Sequence, residues 1–211
     1  MSLHLGHKIK DDNLLKKGGE MLAPITLGMV GLQIALFVNA LALFGVDGEP
    51  AEEGGPNPAI SVGMGASLMA AISLLFMAFF LLIGTPFGTE GIAAEIQIMF
   101  SAISGMYGFL FLGFGFVQIK GWDVRPIGNV ALVAAIMQIL EILVIAFRWG
   151  LSFGNILTEI VLILYVLALL GFWRTTHGKQ SPKVQGWLLI LAWLGTFYYM
   201  FWSGGLLPAP P

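Results

Sequence analysis

The sequence predicts an all-α membrane protein built as a bundle of six transmembrane helices. Hydrophobic residues make up 57% of the 211 positions, charged residues only 10%, and the mean hydropathy is +0.88. A soluble domain averages about 25% charged residues. The apolar residues fall into six segments of the length, roughly 20 residues, that a helix needs to cross a bilayer. Helices are favoured because a helix satisfies its own backbone hydrogen bonds in lipid.

The first three spans are delimited by charge, glycine and proline. The first segment follows a charged stretch that ends at Glu20, and it stops at Gly45 before the acidic, Pro/Gly-rich connector 46–58. The second segment ends where the sequence GTPFGTEG begins at Gly84, and the third ends before KGWDVRP at 120–126. Each break supplies turn residues between two apolar runs.

The last three spans begin or end at similar signals. Pro126 and Pro182 stand where a first-turn proline is tolerated. The connectors WGLSFG at 149–154 and RTTHGKQSPK at 174–183 separate the fourth, fifth and sixth segments. The predicted spans are 22–45, 59–85, 94–118, 126–148, 155–173 and 184–205. The expected organisation is an exposed tail over 1–20, a transmembrane domain over 21–206 and a C-terminal tail over 207–211.

Tryptophan placement supports these boundaries, whereas the positive charges leave the orientation open. Five of the six tryptophans fall near predicted ends, where amphipathic rings prefer the headgroup level. They are Trp122, Trp149, Trp173, Trp187 and Trp202. The ten Lys and Arg residues divide five to five between the two faces, so the positive-inside rule does not decide the orientation.

Composition also excludes several kinds of chemistry. The chain has no cysteine, which rules out disulfides, thiolate metal sites and cysteine nucleophiles, and its net charge of −2 gives no basis for nucleic-acid binding. It contains no HExxH motif, P-loop or dinucleotide fingerprint. The sequence therefore predicts a protein without enzymatic activity and without a cofactor.

The third segment carries a stripe of small and polar residues on one helical face. Its members are Ser101, Ser104, Gly105, Gly108, Gly115 and Gln118. Such a stripe is typical of close helix packing in membranes, and it also suits a pore wall with room for a solute. Both interpretations stay open at this stage.

The few polar residues within the other spans are the remaining candidates for function. Asn39 lies in the first segment, Gln138 and Glu141 in the fourth, and Glu159 and Tyr165 in the fifth. A carboxylate in lipid is costly, so both glutamates are expected to face protein or water and to have partners. Antiparallel packing predicts a cluster of both glutamates with Arg148, with Gln138 above it. This cluster suits either a vestibule or a structural ion pair.

Four stretches, spread over most of the helices, carry a resemblance to a known family. They are IALFVNALALFG at 34–45, PAISVGMGASLMAAISLLF at 58–76, GMYGFLFLGFGFVQIKGWDVRPIGNVALVAA at 105–135 and HGKQSPKVQGWLLILAWLGTF at 177–197. The longest runs from a Gly/Phe/Tyr-rich helix through a Gly-Trp-Asp-x-Arg-Pro connector into the next helix. In their order and spacing these stretches resemble the urea/amide channel family (AmiS/UreI).

The resemblance implies six-helix protomers in rings, most simply hexamers, in the cell membrane. Each protomer would enclose its own narrow pore for small neutral amides. The chain departs from the family in its fifth helix, which lacks a tryptophan stripe, and at Leu188 and Leu191, where some members carry a pore carboxylate. Its long connector, between the first two helices, contains no histidine, so acid gating by loop histidines is not expected.

The leading hypothesis is a passive channel for urea or short-chain amides. Such a pore needs hydrogen-bonding groups spaced along an apolar path. The candidate lining residues are Asn39, Ser104, Tyr107, Gly108, Gln138, Glu141, Glu159 and Tyr165. One alternative is a non-catalytic subunit of a larger membrane complex. An acetate-type carboxylate transporter ranks lower, because Arg148 is the one plausible intramembrane cation.

Overall fold

Six long helices make up almost all of the described chain. The computed structural model describes residues 5–46, 55–149 and 153–203. The helices are α1 (Leu5–Phe44), α2 (Pro58–Gly84, with a π-helical turn at Gly63–Leu68), α3 (Gly91–Lys120), α4 (Arg125–Arg148, ending in a π-helical turn), α5 (Phe153–Thr176) and α6 (Pro182–Ser203).

The six predicted spans are confirmed. Each helix contains a stretch long and apolar enough to cross a membrane, and the observed bounds differ from the predicted ones by three residues or fewer. The chain is therefore a multi-pass helical membrane protein. In α1 the membrane-spanning part begins at Pro24, but the helix itself begins at Leu5. The stretch predicted as an N-terminal tail is thus helical from residue 5, and the predicted tail over 207–211 lies outside the described residues.

The helices form a closed ring in chain order. Each one packs against its neighbours in sequence, and α1 packs extensively against α6 to complete the ring. The tightest pair is α2–α3, and among neighbours in the ring α3 and α4 touch least. A ring of six helices has a central axis, and that axis is where a solute path would run.

Alternation of the helices defines two membrane faces. The connectors 121–124 and 177–181 lie on one side, here called the cavity face, and the connector 85–90 lies on the opposite face. At the cavity face α3 ends at Lys120 and is capped by Gly121, whose φ of +65° is a left-handed conformation that glycine adopts without strain. The Trp122 amide then donates to the Val117 carbonyl at 3.2 Å, which turns the chain sharply toward α4.

Candidate solute cavity

A cavity of about 360 Å³ lies inside the ring. Its wall comes from α1, α3, α5, the first turns of α6 and the 121–124 connector, while α2 and α4 contribute no lining residue among those described. The lining residues are Leu32, Ala35, Leu36, Asn39, Ala42, Leu43, Tyr107, Leu110, Phe111, Phe114, Gln118, Val124, Tyr165, Ala168, Leu169, Phe172, Thr175, Thr176, Gln185 and Leu189. None of these residues carries a charge, so the described wall is apolar and aromatic with a few neutral polar groups.

The cavity runs from the cavity face to the middle of the bundle. Val124 and Thr176 lie at its outer end, and Tyr107 and Tyr165 form its floor. The two tyrosine rings meet edge to face, with centroids 5.6 Å apart. Tyr107 and Gln118 are eleven residues apart on α3, which corresponds to a depth of about 16 Å at 1.5 Å per residue.

Beyond the floor, an aromatic block closes the bundle toward the opposite face. Phe100 of α3 packs edge to face on Tyr199 of α6, with centroids 5.6 Å apart, and lies 5.8 Å from Trp202. Phe87 of the 85–90 connector covers Trp202 at 5.8 Å. The void among these rings is about 10 Å³, no more than a single water needs. The path is therefore open on one side and closed on the other.

Three polar side chains form a hydrogen-bonded ring beside the cavity, and two of them, Asn39 and Gln118, line its wall. Asn39 Nδ2 donates to Ser67 Oγ at 3.3 Å, Ser67 Oγ donates to Gln118 Oε1 at 2.6 Å, and Gln118 Nε2 donates to Asn39 Oδ1 at 2.8 Å. Ser67 belongs to the π-helical turn of α2. The ring ties α1, α2 and α3 together, and it satisfies amide groups that would otherwise be costly in lipid.

The hydroxyl groups of the two floor tyrosines are hydrogen-bonded to residues outside the cavity wall. The Tyr107 hydroxyl donates to Gln138 Oε1 at 3.0 Å, and Gln138 Nε2 donates to Glu141 Oε2 at 2.7 Å. The Tyr165 hydroxyl lies 2.7 Å from Thr196 Oγ1 of α6. Each tyrosine is thereby held from behind, with its ring facing the cavity.

Two polar atoms of cavity-lining residues near the outer end have no hydrogen-bond partner among the described residues. They are Gln185 Oε1 and Thr175 Oγ1, and both residues line the cavity. Gln185 is fully buried, and its Nε2 donates to the Ala168 carbonyl at 3.0 Å. Gln185 Oε1 lies against Gly171 of α5, so it is enclosed by protein and not exposed to the cavity.

Three of the eight predicted lining residues face the cavity: Asn39, Tyr107 and Tyr165. Ser104 and Gly108 lie outside its wall. The Ser104 hydroxyl donates to the Phe100 carbonyl of its own helix, and a Cβ on Gly108 would lie 2.7 Å from Leu75 Cγ of α2. The small-residue stripe of α3 thus serves mainly to pack α3 on α2, and Gln118 is its one member on the cavity wall.

Gln138, Glu141 and Glu159 also lie outside the cavity wall. The predicted link from Arg148 to the glutamates is wrong, because the Arg148 guanidinium pairs with Glu95 of α3, with Nε 2.7 Å from Oε2. The π-helical turn at the end of α4 rotates Arg148 relative to a regular helix, which sequence periodicity does not foresee. The described hydrogen bonds link Gln138 to Glu141 as predicted but do not bring Glu159 into that group.

Charged groups lie near the outer end of the cavity, at the connector. Arg125 binds Asp123 through two nitrogens, with Nη2 2.6 Å and Nε 2.9 Å from Oδ2. These bonds, together with that from the Arg125 amide, lower the pKa of Asp123 to about 2. Lys179 stacks over the Trp173 ring at 4.7 Å. Within the described part of the chain, no three His, Asp or Glu side chains gather as a metal site would require.

Sequence reasoning missed Gln185 and Thr175 as cavity residues. Both lie within three residues of a predicted helix end, where polar side chains are ordinarily solvated.

Comparison with protein-family models, with curated proteins and with solved structures gives no match.

Proposed function

We propose that this protein is a passive channel of the cell membrane for urea or short-chain amides. The observation that carries the proposal is the uncharged cavity of about 360 Å³ on the axis of the six-helix ring. Its volume falls in the usual range for small-ligand pockets, roughly 300–1,000 Å³. Weak, spaced hydrogen-bonding groups on an apolar wall suit a solute that must enter and leave quickly.

The charge of the wall favours neutral solutes. A carboxylate such as acetate would lose its hydration inside the bundle, and no Lys or Arg is among the described lining residues to compensate. Urea and amides carry no net charge, and they exchange hydrogen bonds with water for bonds to amide and hydroxyl groups. Asn39 and Gln118 offer such groups along the wall.

Passage across the whole bundle requires movement of the aromatic residues beyond the cavity. Tyr107 and Tyr165 close its floor, and Phe100, Tyr199 and Trp202 fill the next layer. Side-chain rotation of a few aromatic rings is the smallest change that joins the cavity to the opposite face. The closed layer therefore acts as a gate in this proposal.

A flux assay with a cavity-filling variant tests the function. Purified protein is reconstituted in liposomes, and urea, acetamide and a larger sugar are compared by stopped-flow light scattering. We expect urea and acetamide to enter faster than into empty liposomes, and the sugar to enter no faster. Ala168→Phe places an aromatic ring in the cavity, since Ala168 lines the wall and is 7% exposed. This variant should reduce the entry of urea and acetamide to the rate of empty liposomes.

The neighbouring residue provides a matched control. Leu167 is 44% exposed and lies outside the cavity wall on the same helix, so Leu167→Phe should leave urea flux unchanged. Urea entry equal to that of empty liposomes in wild-type protein overturns the proposal. Equal flux in wild type, Ala168→Phe and Leu167→Phe would show that solutes take another path.

We also propose that the protein assembles into homo-oligomers, a hexameric ring by the family resemblance. Part of Glu141 remains exposed on α4, and Phe147 of the same helix is 86% exposed. An intramembrane carboxylate facing lipid is costly, so a second copy packed on α4 would stabilise it. Native mass spectrometry in mild detergent distinguishes a ring of one chain from a heteromer, which would favour the accessory-subunit alternative.

A further inference from the structure

A backbone carbonyl fixes the amide orientations in the ring of Asn39, Ser67 and Gln118. Asn39 Nδ2 donates to the Ala35 carbonyl at 2.8 Å, and a carbonyl can only accept. The nitrogen of the Asn39 amide must therefore face Ala35, and its oxygen faces Gln118. Since that oxygen only accepts, the Gln118 atom 2.8 Å away is the nitrogen, and Gln118 Oε1 accepts from Ser67. No ionisable group takes part in this arrangement.

The ring leaves one donor and one acceptor unused. Both protons of Asn39 Nδ2 are taken, one by the Ala35 carbonyl and one by Ser67. Gln118 Nε2 has two protons and donates one of them to Asn39, so the other has no partner among the described residues. Asn39 Oδ1 has two lone pairs and accepts a single bond within the described chain. An N–H and a lone pair therefore remain available on two atoms that lie 2.8 Å apart.

These two atoms, Asn39 Oδ1 and Gln118 Nε2, form the side of the ring nearest the cavity, here called the amide edge. Asn39 and Gln118 both line the cavity, whereas Ser67 is fully buried and does not. The amide edge is the side of the ring opposite Ser67, so it is the side turned toward the cavity. Phe114 lies one turn deeper on α3, and Phe172 of α5 packs edge to face on it with centroids 5.0 Å apart. The amide edge therefore stands beside an aromatic surface.

We propose that the amide edge is a binding site for the planar O=C–N–H group of urea or a primary amide. The solute carbonyl accepts the unused N–H of Gln118, and a solute N–H donates to Asn39 Oδ1. The flat face of the solute then lies on the rings of Phe114 and Phe172. A ketone can make the first bond but not the second. The site rests on the proposed function and specifies the chemical group by which the channel recognises its solute.

Acetamide and acetone test the site, because they have nearly the same size and shape but acetone carries a methyl group in place of the amino group. Acetamide can make both bonds to the amide edge, whereas acetone only accepts. The full chain is prepared with isotope-labelled glutamine in lipid nanodiscs and titrated with each solute by NMR. The Gln118 side-chain signal, identified by its absence in Gln118→Met, should move with both solutes. We expect acetone to bind about threefold to tenfold more weakly than acetamide, the range that corresponds to one ordinary hydrogen bond.

Two substitutions that each remove two bonds of the ring separate the amide edge from the ring as a structural unit. Asn39→Leu removes the acceptor of the edge but keeps the Gln118 donor, so acetamide and acetone should bind equally well. Ser67→Ala removes the bonds on the far side of the ring and keeps both atoms of the edge, so the preference for acetamide should persist. Both variants are followed at the same Gln118 signal.

The outcomes distinguish failure of the site from failure of the transport function. A preference for acetamide that is lost in Asn39→Leu and kept in Ser67→Ala, together with no urea flux in liposomes, would refute the proposed function and uphold the site. A Gln118 signal that acetamide does not move, or equal affinities for acetamide and acetone in the wild type, would overturn the inference. A preference that survives Asn39→Leu would overturn it as well.

Discussion

The polar ring of Asn39, Ser67 and Gln118 predicts a measurable contribution to stability. Asn39→Leu replaces the amide with an apolar side chain of similar size and removes both bonds that Asn39 makes within the ring. The variant leaves Gln118 Nε2 and Ser67 with one partner fewer inside the bundle. Intramembrane side-chain hydrogen bonds contribute about 0.6 kcal/mol on average and about 1.7 kcal/mol at most. Removal of two such bonds should therefore lower the free energy of unfolding by about 1–3 kcal/mol.

A second buried amide on the same helix serves as the control. Gln33 is 7% exposed, and neither of its side-chain atoms has a hydrogen-bond partner among the described residues. Gln33→Leu removes a polar group that gains nothing from the fold, so the free energy of unfolding should stay the same or rise. The contrast between the two substitutions isolates hydrogen bonding from the general effect of placing leucine in α1.

Reversible unfolding in mixed detergent micelles, followed by tryptophan fluorescence, measures both variants. A double-mutant cycle with Asn39→Leu and Gln118→Leu should give a coupling free energy of about 0.6–1.7 kcal/mol. A coupling below about 0.3 kcal/mol, within the usual additivity error, would refute the ring as an energetic unit. Equal destabilisation by Asn39→Leu and Gln33→Leu would refute the assignment of the effect to hydrogen bonding.

Two further predictions concern packing and the connector. Gly108→Ala should lower the unfolding free energy by about 1 kcal/mol in the same assay, because its Cβ would lie 2.7 Å from Leu75 Cγ and overpacking outweighs the gain in helix propensity. Gly65→Ala, which meets nothing within 4 Å, should not lower it, and equal losses at both sites would contradict the packing argument. For Asp123, the pKa near 2 lies below its ordinary value of 3.8, so its pairing with Arg125 stabilises the fold above pH 3.8 and weakens as the pH falls toward 2. The difference in Tm between wild type and Asp123→Asn should be constant above pH 3.8 and should shrink as the pH falls from 3.8 toward 2. A difference that grows on acidification would contradict the pairing.

Sequence reasoning predicted the fold well because lipid imposes simple rules. Six apolar runs of sufficient length, separated by glycine, proline and charge, allow little other than six helices. Predicted and observed span ends differ by three residues at most. Bilayer thickness sets the length of each apolar run, and breaker residues mark its ends. Both features can be read directly from the sequence, so the helix boundaries could be predicted.

The candidate site was predicted less completely, because it depends on contacts between helices and on local helix geometry, which the sequence alone does not show. Asn39, Tyr107 and Tyr165 were found because polar atoms deep in apolar helices must face inward. Gly108 was ambiguous, since the same stripe suits a pore wall or a packed helix, and only the position of Leu75 on α2 decides. Arg148 was assigned to the wrong partner, because the π-helical turn changes which side of α4 it occupies.

Cysteine accessibility tests the central claim most directly, since the chain contains no native cysteine. Single cysteines at Leu110 and Ala168 should react with a small water-soluble thiosulfonate reagent, and urea should slow both reactions by occupying the cavity. Cysteines at their lipid-facing neighbours Phe109 and Leu167, which are 65% and 44% exposed, should react slowly and without any effect of urea. Equal, urea-independent labelling at all four positions would contradict a water-filled solute cavity inside the ring.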